Sequence, residues 1–472
     1  MRYEEYIETN TPWCEKHPAH WQIVKFKSLF SLGKGLNITK ADLIEKGVPV
    51  ISYGQVHAKY NSGVGLNSSL FRYVDKAYAN SNNQSLVHEN DFIFADTSED
   101  REGCGNCVFV DSDLMLFAGY HSIIARNKGA ENNKYVAYQF LTDMWRHQIR
   151  SNVDGVKVFS VTKAILNKSS ILLPPREEQD QIVRYLDWKV SCINKLIHGY
   201  QRQIKLLEER KRTFAFNAVT KGIMTGVRTA ESPLYWLESI PAHWNTNSIS
   251  QLFTEVKNKN SGLQENNLLS LSYGSIKRRN INATEGLLPS SFEGYNIIEK
   301  NDIVLRLTDL QNDHKSLRTG IATERGIITS AYLTIRNKSN NNPEFLHLFL
   351  HAFDLAKGFY NVGASGVRQS LNWDTVKMLK VLIPPVSEQV QIVKAIKEEY
   401  AKIDASIPVF EKQIALLKEY RTRLISDVVT GQMDVRNIEI PEFEAEVDFE
   451  ADAGNETDED DDTMNEEATT DE

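Results

Sequence analysis

Two stretches of the chain carry apolar residues at alternating spacings of three and four. In the first, Leu186, Val190, Ile193, Ile197, Tyr200, Ile204, Leu207, Phe214 and Ala218 form a stripe that only Lys211 breaks. In the second, Ile396, Tyr400, Ile403, Ile407, Phe410, Ile414, Leu417, Leu424 and Val428 repeat it, with Arg421 at the equivalent break. A stripe held for over four heptads predicts a long helix with one face buried against a partner helix. Leu186, Ile193, Ile197, Ile204 and Leu207 are therefore expected to pack against Ile403, Ile407, Ile414 and Leu417, with the helices antiparallel. Each stripe follows a Pro-Pro pair, 174–175 and 384–385, which suits a helix start. Pro408, inside the second stripe, is expected to kink or interrupt it, because proline removes one backbone hydrogen bond.

Elsewhere the pattern is short and broken. Apolar runs at 91–95, 107–110, 303–307 and 327–335 predict strands, and Gly, Asn and Ser separate them. Residues 134–147 and 343–359 predict connecting helices. The chain thus alternates strand-rich units with long helices.

That alternation is a repeat. Over residues 172–223 and 382–433, 17 of 52 ungapped positions are identical. The sharpest part is Pro-Pro-x-x-Glu-Gln-x-x-Ile, at 174–182 and 384–392. The units before each helix also match, more loosely. Pro18-Ala19-His20-Trp21 returns as Pro241-Ala242-His243-Trp244 and Ser52-Tyr53-Gly54 as Ser272-Tyr273-Gly274. Asn90-Asp91 returns as Asn301-Asp302, Arg126-Asn127-Lys128 as Arg336-Asn337-Lys338 and Gly155-Val156-Lys157 as Gly366-Val367-Arg368. The organisation read from this is a first variable unit (1–173), a central helix (174–224), a linker and second variable unit (225–383), a C-terminal helix (384–433) and a tail (434–472).

The net charge of −9 changes meaning once the tail is set aside. Residues 442–472 hold 16 acidic residues and no Lys or Arg, so the remaining 54 basic residues face 47 acidic ones, a net +7. The tail has too little apolar content to offset its ordering entropy and is expected to be disordered. No run approaches the ~18 apolar residues of a membrane span, and the first residues lack an apolar signal core, so a soluble cytoplasmic protein is expected. Cys14, Cys104, Cys107 and Cys192 are too few for a disulfide framework. Cys104-x-x-Cys107 supplies two zinc ligands where four are needed and reads as two ordinary thiols.

No catalytic centre emerges. There is no GxxxxGK[ST] loop for a nucleotide triphosphate, no Asn-Pro-Pro-aromatic run and no HExxH. His20 recurs as His243 beside Pro and Trp, a structural pattern. Asp96, Glu99 and Asp100 are matched in the second unit by Arg306, Asp309 and Asp313, so the two units share no acidic triad. What the variable units do offer is basic and polar loops: Tyr53, Lys59, Arg101 and Lys157 in the first, and Tyr273, Lys277, Arg278, Arg279, Arg306, Arg318 and Arg368 in the second. Arg and Lys are the side chains that meet phosphates and base edges. The arginines of the second unit are expected together on one DNA-facing side; any one of them taken alone reads first as solvated surface charge.

The duplicated Pro-Pro-x-x-Glu-Gln-x-x-Ile helices, together with Trp236-Leu237-x-x-Ile240-Pro241-x-x-Trp244 and the run at 302–311, resemble the specificity subunit of type I restriction-modification systems. The resemblance covers nearly all of residues 1–435; the acidic tail departs from it. It implies an α+β fold with two pseudo-symmetric strand-rich target-recognition domains separated by two long antiparallel coiled-coil helices, followed by the disordered acidic tail. Each recognition domain would read one half of a bipartite double-stranded DNA site, with the helices as ruler. Two modification (methyltransferase) subunits and two restriction (helicase-nuclease) subunits would be the partners. S-adenosylmethionine, ATP and magnesium would belong to them, and this chain would bind no cofactor and catalyse nothing. The rival readings are a coiled-coil scaffold with two binding domains and no DNA role, which leaves the basic balance unexplained, and a single-chain enzyme, for which no region is left over.

Overall fold

The computed structural model describes residues 2–129, 131–281, 289, 291–308, 310, 317–362 and 370–444. It divides into two compact units: residues 2–202 with 410–444, and residues 203–409. Both long helices are shared between them. The central helix is Arg176–Lys221 and the C-terminal helix is Val386–Val429.

The first unit is organised by a four-stranded antiparallel sheet in the order Cys107–Phe109, Phe92–Ala95, Ser122–Asn127, Phe30–Leu32. All four residues of Phe92–Ala95 are buried because the strand is covered on both faces. Its side chains alternate. Phe92 and Phe94 enter the main core with Phe26, Phe30, Phe140 and Trp145, whereas Ile93 and Ala95 enter a second core with Val108, Leu116 and Ile124. A second sheet, in the order Arg72–Val74, Val48–Ile51, Leu116–Ala118, Leu86–Val87, contains a parallel pairing, between Leu116–Ala118 and Val48–Ile51.

The second unit repeats the first sheet strand for strand: Thr319–Ile321, Ile303–Leu305, Leu333–Asn337, Phe253–Glu255. Among the described residues its second layer consists of two ribbons, Leu269–Ser272 with Ser275–Arg278 and Asn296–Ile298 with Gly326–Ile328. In each unit another strand pair leads into a long helix: Gln22–Lys25 with Ser170–Leu173, and Asn245–Ser248 with Lys380–Ile383.

Several expected elements are cut by local chemistry. Residues 134–147 form two helices, Asn133–Phe140 and Asp143–Arg150, because the Thr142 hydroxyl accepts from Trp145 N–H and starts a new helix. The run 327–335 is split by a turn at 329–332, where Tyr332 N–H meets the Thr329 carbonyl. The helix expected to reach residue 359 ends at Leu355, with Lys357 in the left-handed region. Pro408 does not interrupt the C-terminal helix, which continues for 44 residues. Buried Ile396 and Ile403 before it and Leu424 after it anchor the backbone on both sides.

The helices pack antiparallel, as each unit shows separately. In the first, Ile193 and Ile197 share a core with Leu424, Ile425 and Val428, and Ile414 and Leu417 pack against it. In the second, Ala215, Ala218 and Val219 meet Ile392, Val393 and Ile396. Of the expected packing residues, Leu186, Ile193, Ile197 and Ile403 are buried, and Ile204, Leu207, Ile407, Ile414 and Leu417 are half-buried. The region assigned to the tail begins as ordered chain: Val435 is fully buried, and Gln181 Nε2 donates to the carbonyls of Val435 and Ile438. The expectation of disorder beyond Glu444 lies outside the described residues. Among the described residues, no helix is long and apolar enough to cross a membrane.

Candidate nucleic-acid interface

Each unit is closed by one lock that joins its two repeated motifs. The carboxylate of Glu178, buried at the start of the central helix, accepts from His20 Nε2 at 2.7 Å, Trp21 Nε1 at 3.0 Å and the Tyr3 hydroxyl at 2.6 Å. Glu388 accepts from His243 Nε2 at 2.8 Å and Trp244 Nε1 at 3.1 Å. The next residue completes the lock. Gln179 donates to the Pro174 carbonyl and accepts from Asn132 N–H, and Gln389 treats Pro384 and Asn342 identically. Asn132 and Asn342 are the N-caps of the connecting helices, so one Glu-Gln pair fixes strand end, long helix and connecting helix together. His20 and His243 are therefore structural, as their Pro-Trp context implied. The Asn-Asp and Arg-Asn-Lys repeats meet as well: Asp91 pairs with Arg126 at 3.3 Å and Asp302 with Arg336 at 2.6 Å. Asn90 and Asn301 take the left-handed conformation just before those aspartates.

On this scaffold the loops differ. In the first unit, Tyr53 opens the short helix Tyr53–Val56 and is half-buried. His57 positions that helix, bonding the Thr97 carbonyl through Nε2 at 2.8 Å and Asn106 through Nδ1 at 3.2 Å. Thr97–Ser98 pairs with Phe159–Ser160, and the Arg101 guanidinium lies over the Phe159 ring at 5.6 Å. Lys157, two residues before Phe159, is exposed, as are Arg101 and Lys59. The structure thus brings Arg101 and Lys157 to one ribbon, with Tyr53 tied to it through His57. Sequence reasoning weighed Asp96 only as one of an acidic group and missed His121 and Tyr120 beside Tyr53. His121 Nδ1 lies 3.2 Å from Asp96 Oδ1, and its ring stands edge-on to both tyrosines. The available signal was the absence of this Asp and His from the second copy.

In the second unit, Tyr273-Gly274 forms the tight turn of the Leu269–Ser272/Ser275–Arg278 hairpin, both residues with positive φ. Tyr273 is 75% exposed, and Lys277, Arg278 and Arg279 are exposed behind it. Arg278 is paired with Glu324 through Nε at 2.6 Å and through Nη2. Arg306 is half-buried. Arg318 corrects the expectation of a shared outer face. It is fully buried: its guanidinium donates to the carbonyls of Arg306 and Thr308 and to the Tyr360 hydroxyl, and its own N–H donates to Asp354. It fastens the backbone of the 306–308 stretch from inside. Arg368 lies outside the described residues.

Cys104 and Cys107 are buried, unbridged thiols. Burial raises both, Cys107 to about 12, so neither is a thiolate near neutrality. Burial pushes His347 down to about 3 and lowers His351 one turn later. Among the described residues, no group of three or more His, Cys, Asp or Glu is placed to hold a metal ion.

Residues 18–206 match the family described as the type I restriction modification DNA specificity domain. The chain is similar to the putative type I restriction enzyme MjaX specificity subunit of Methanocaldococcus jannaschii, at 19% identity over 431 residues, covering 89% of this chain and 95% of that one. It is also similar to the MjaVIII specificity subunit of the same organism, at 22% identity over 369 residues, covering 76% and 82%. Among solved structures, a chain from work on complex assembly and conformational transition of the type I R-M system superposes with a TM-score of 0.62. That match has 15% identity and covers 88% of this chain and 99% of the other; it bears on the fold.

Proposed function

We infer that this chain, a specificity subunit of the type I restriction-modification class and a sequence-specific DNA-recognition subunit, reads a bipartite site with one half assigned to each unit. The observation that carries the reading is one scaffold built twice, with the same locks and the same sheet order but different loops. A scaffold fixes position, and side chains on variable loops choose the base. The paired long helices supply the spacing between half-sites. They also offer two related docking surfaces, one for each of two methyltransferase subunits, and two restriction subunits complete the assembly. Methylation of adenine and cleavage reside in those partners, with S-adenosylmethionine, ATP and magnesium. The complex works in the cytoplasm.

The test is co-expression with the methyltransferase subunit, followed by methylome sequencing and mobility shift on duplex DNA. A single asymmetric motif with two defined halves is expected, and exchanging residues 22–173 for those of a relative should change one half only. Methylation without sequence preference, or a motif that changes in both halves, would sink the reading.

A further inference from the structure

The pair His121–Asp96 has no role in the locks or the cores. It sits where the Ser122–Asn127 strand begins and the Phe92–Ala95 strand ends, and Asp96 N–H donates to the His121 carbonyl at 3.1 Å. His121 has φ 53°, a conformation that costs a non-glycine residue energy and persists where surroundings impose it. Its side chain is 58% exposed and that of Asp96 30%. The ring is held from three sides: by Asp96, by Tyr53 with centroids 5.6 Å apart and by Tyr120 at 6.1 Å.

The second unit supplies an internal control. Asp96 lies five residues after Asp91, and in the strand register the position five after Asp302 is Leu307 rather than Arg306. His121 lies five residues before Arg126, and the position five before Arg336 is Ala331. Ala331 is not among the residues with positive φ. The same strands are therefore joined in the second unit without the His, the Asp or the unusual backbone, so the scaffold does not require them. A feature confined to one copy is where the two halves would differ in what they read. Its surroundings fit that role: Asp96 is bonded through its carbonyl to Val161, at the end of the ribbon that carries Arg101 and Lys157. Cations suited to phosphates thus flank a fixed polar group suited to a base.

We propose that His121, oriented by Asp96 between Tyr53 and Tyr120, is a base-reading residue of the first unit that accepts a hydrogen bond from the exocyclic amino group of adenine or cytosine in the major groove. A carboxylate at Nδ1 holds the proton there and leaves Nε2 as the acceptor. Adenine N6 and cytosine N4 are the donors of the major groove, so the residue separates those bases from guanine and thymine. The proposal rests on the DNA-reading function above.

The full complex carrying His121→Phe, which keeps a ring and removes the acceptor, is compared with His121→Asn, which tolerates the left-handed backbone. Methylome sequencing of cells expressing each is the readout, with thermal melting of the purified complexes alongside. His121→Asn is expected to melt as the wild type does and His121→Phe slightly lower, with the complex still folded. His121→Phe should lose roughly five- to hundred-fold of discrimination at one base pair of one half-site, with the other half-site unchanged. An unchanged motif in both variants would overturn the proposal, as would a lowered melting temperature with general loss of methylation, which would mark a structural turn. Absence of any bipartite motif in the wild type would instead remove the DNA-reading premise.

Discussion

At the scale of single residues, the two halves are most alike where a side chain reaches far along the sequence. Glu178 receives three hydrogen bonds and Glu388 two from side chains. Bonds to charged groups are each worth about 1.5–3 kcal/mol, and an orphaned buried donor costs more. Glu388→Ala should therefore destabilise the second unit by about 2–4 kcal/mol, and Glu178→Ala should cost the first unit about 1 kcal/mol more; denaturant titration of the purified chain measures both. Both motifs of each lock were legible in the sequence, but their union was not, because Trp21 and Glu178 are 157 positions apart and periodicity carries no pairing information. Arg318 was misread for a related reason: Gly and Asn flank buried and exposed arginines alike, and only the carbonyls it serves distinguish it. Buried histidines give a pH signature. His347 stays neutral down to about pH 3 when folded but takes up a proton near 6.5 when unfolded. The unfolded state binds more protons between those values, so stability should fall as pH drops from 6.5 toward 3. His347→Phe should flatten that dependence in melts recorded across the range, and an unaltered slope would count against it.

Among the elements, the long helices were read most fully, because four heptads of one period outweigh local ambiguity. Even the breaks in the stripes have a use. Lys211 Nζ bonds Asp404 at 2.6 Å, and Arg421 bonds the Asn194 amide oxygen at 2.6 Å. Positions 194 and 404 differ by the 210 residues that separate 211 from 421, so each helix answers the other's break at the matching place. Lys211→Met should slightly weaken the helix pair, whereas Leu207→Asp places a charge on a half-buried face and should cost about 2 kcal/mol or more; loss of co-purification with the methyltransferase is the measurement. The short strands were legible as apolar runs but not in their bounds. A hydroxyl cap at Thr142 and a turn at 329–332 override a continuous pattern, and neither leaves a periodic trace. Of the second layer only the start of the run at 327–335 was legible, as the strand Gly326–Ile328; its pairing with Asn296–Ile298 leaves no periodic trace.

For the whole molecule, the proposed spacing role of the helices carries a length scale. Four residues add about 6 Å to a helix, and a base pair occupies 3.4 Å of duplex. Inserting four residues after both Arg202 and Val409 should favour a site whose spacer is longer by about one to two base pairs, with both half-sites unchanged in the methylome. The division into units also has a consequence for how the protein is made. Residues 203–409 are continuous, whereas the first unit needs residues 410–444, which supply Leu424, Val428 and Val435 to its core. The part that leaves the ribosome first is therefore completed last. Until the final segment emerges, the core under Trp21 lacks one wall and Tyr6 lacks the Gly431 carbonyl that its hydroxyl meets. A released chain truncated at Val409 should keep the core strands and helices of the second unit protected from protease while 2–202 is still cut, so the second unit, translated later, is the first to mature.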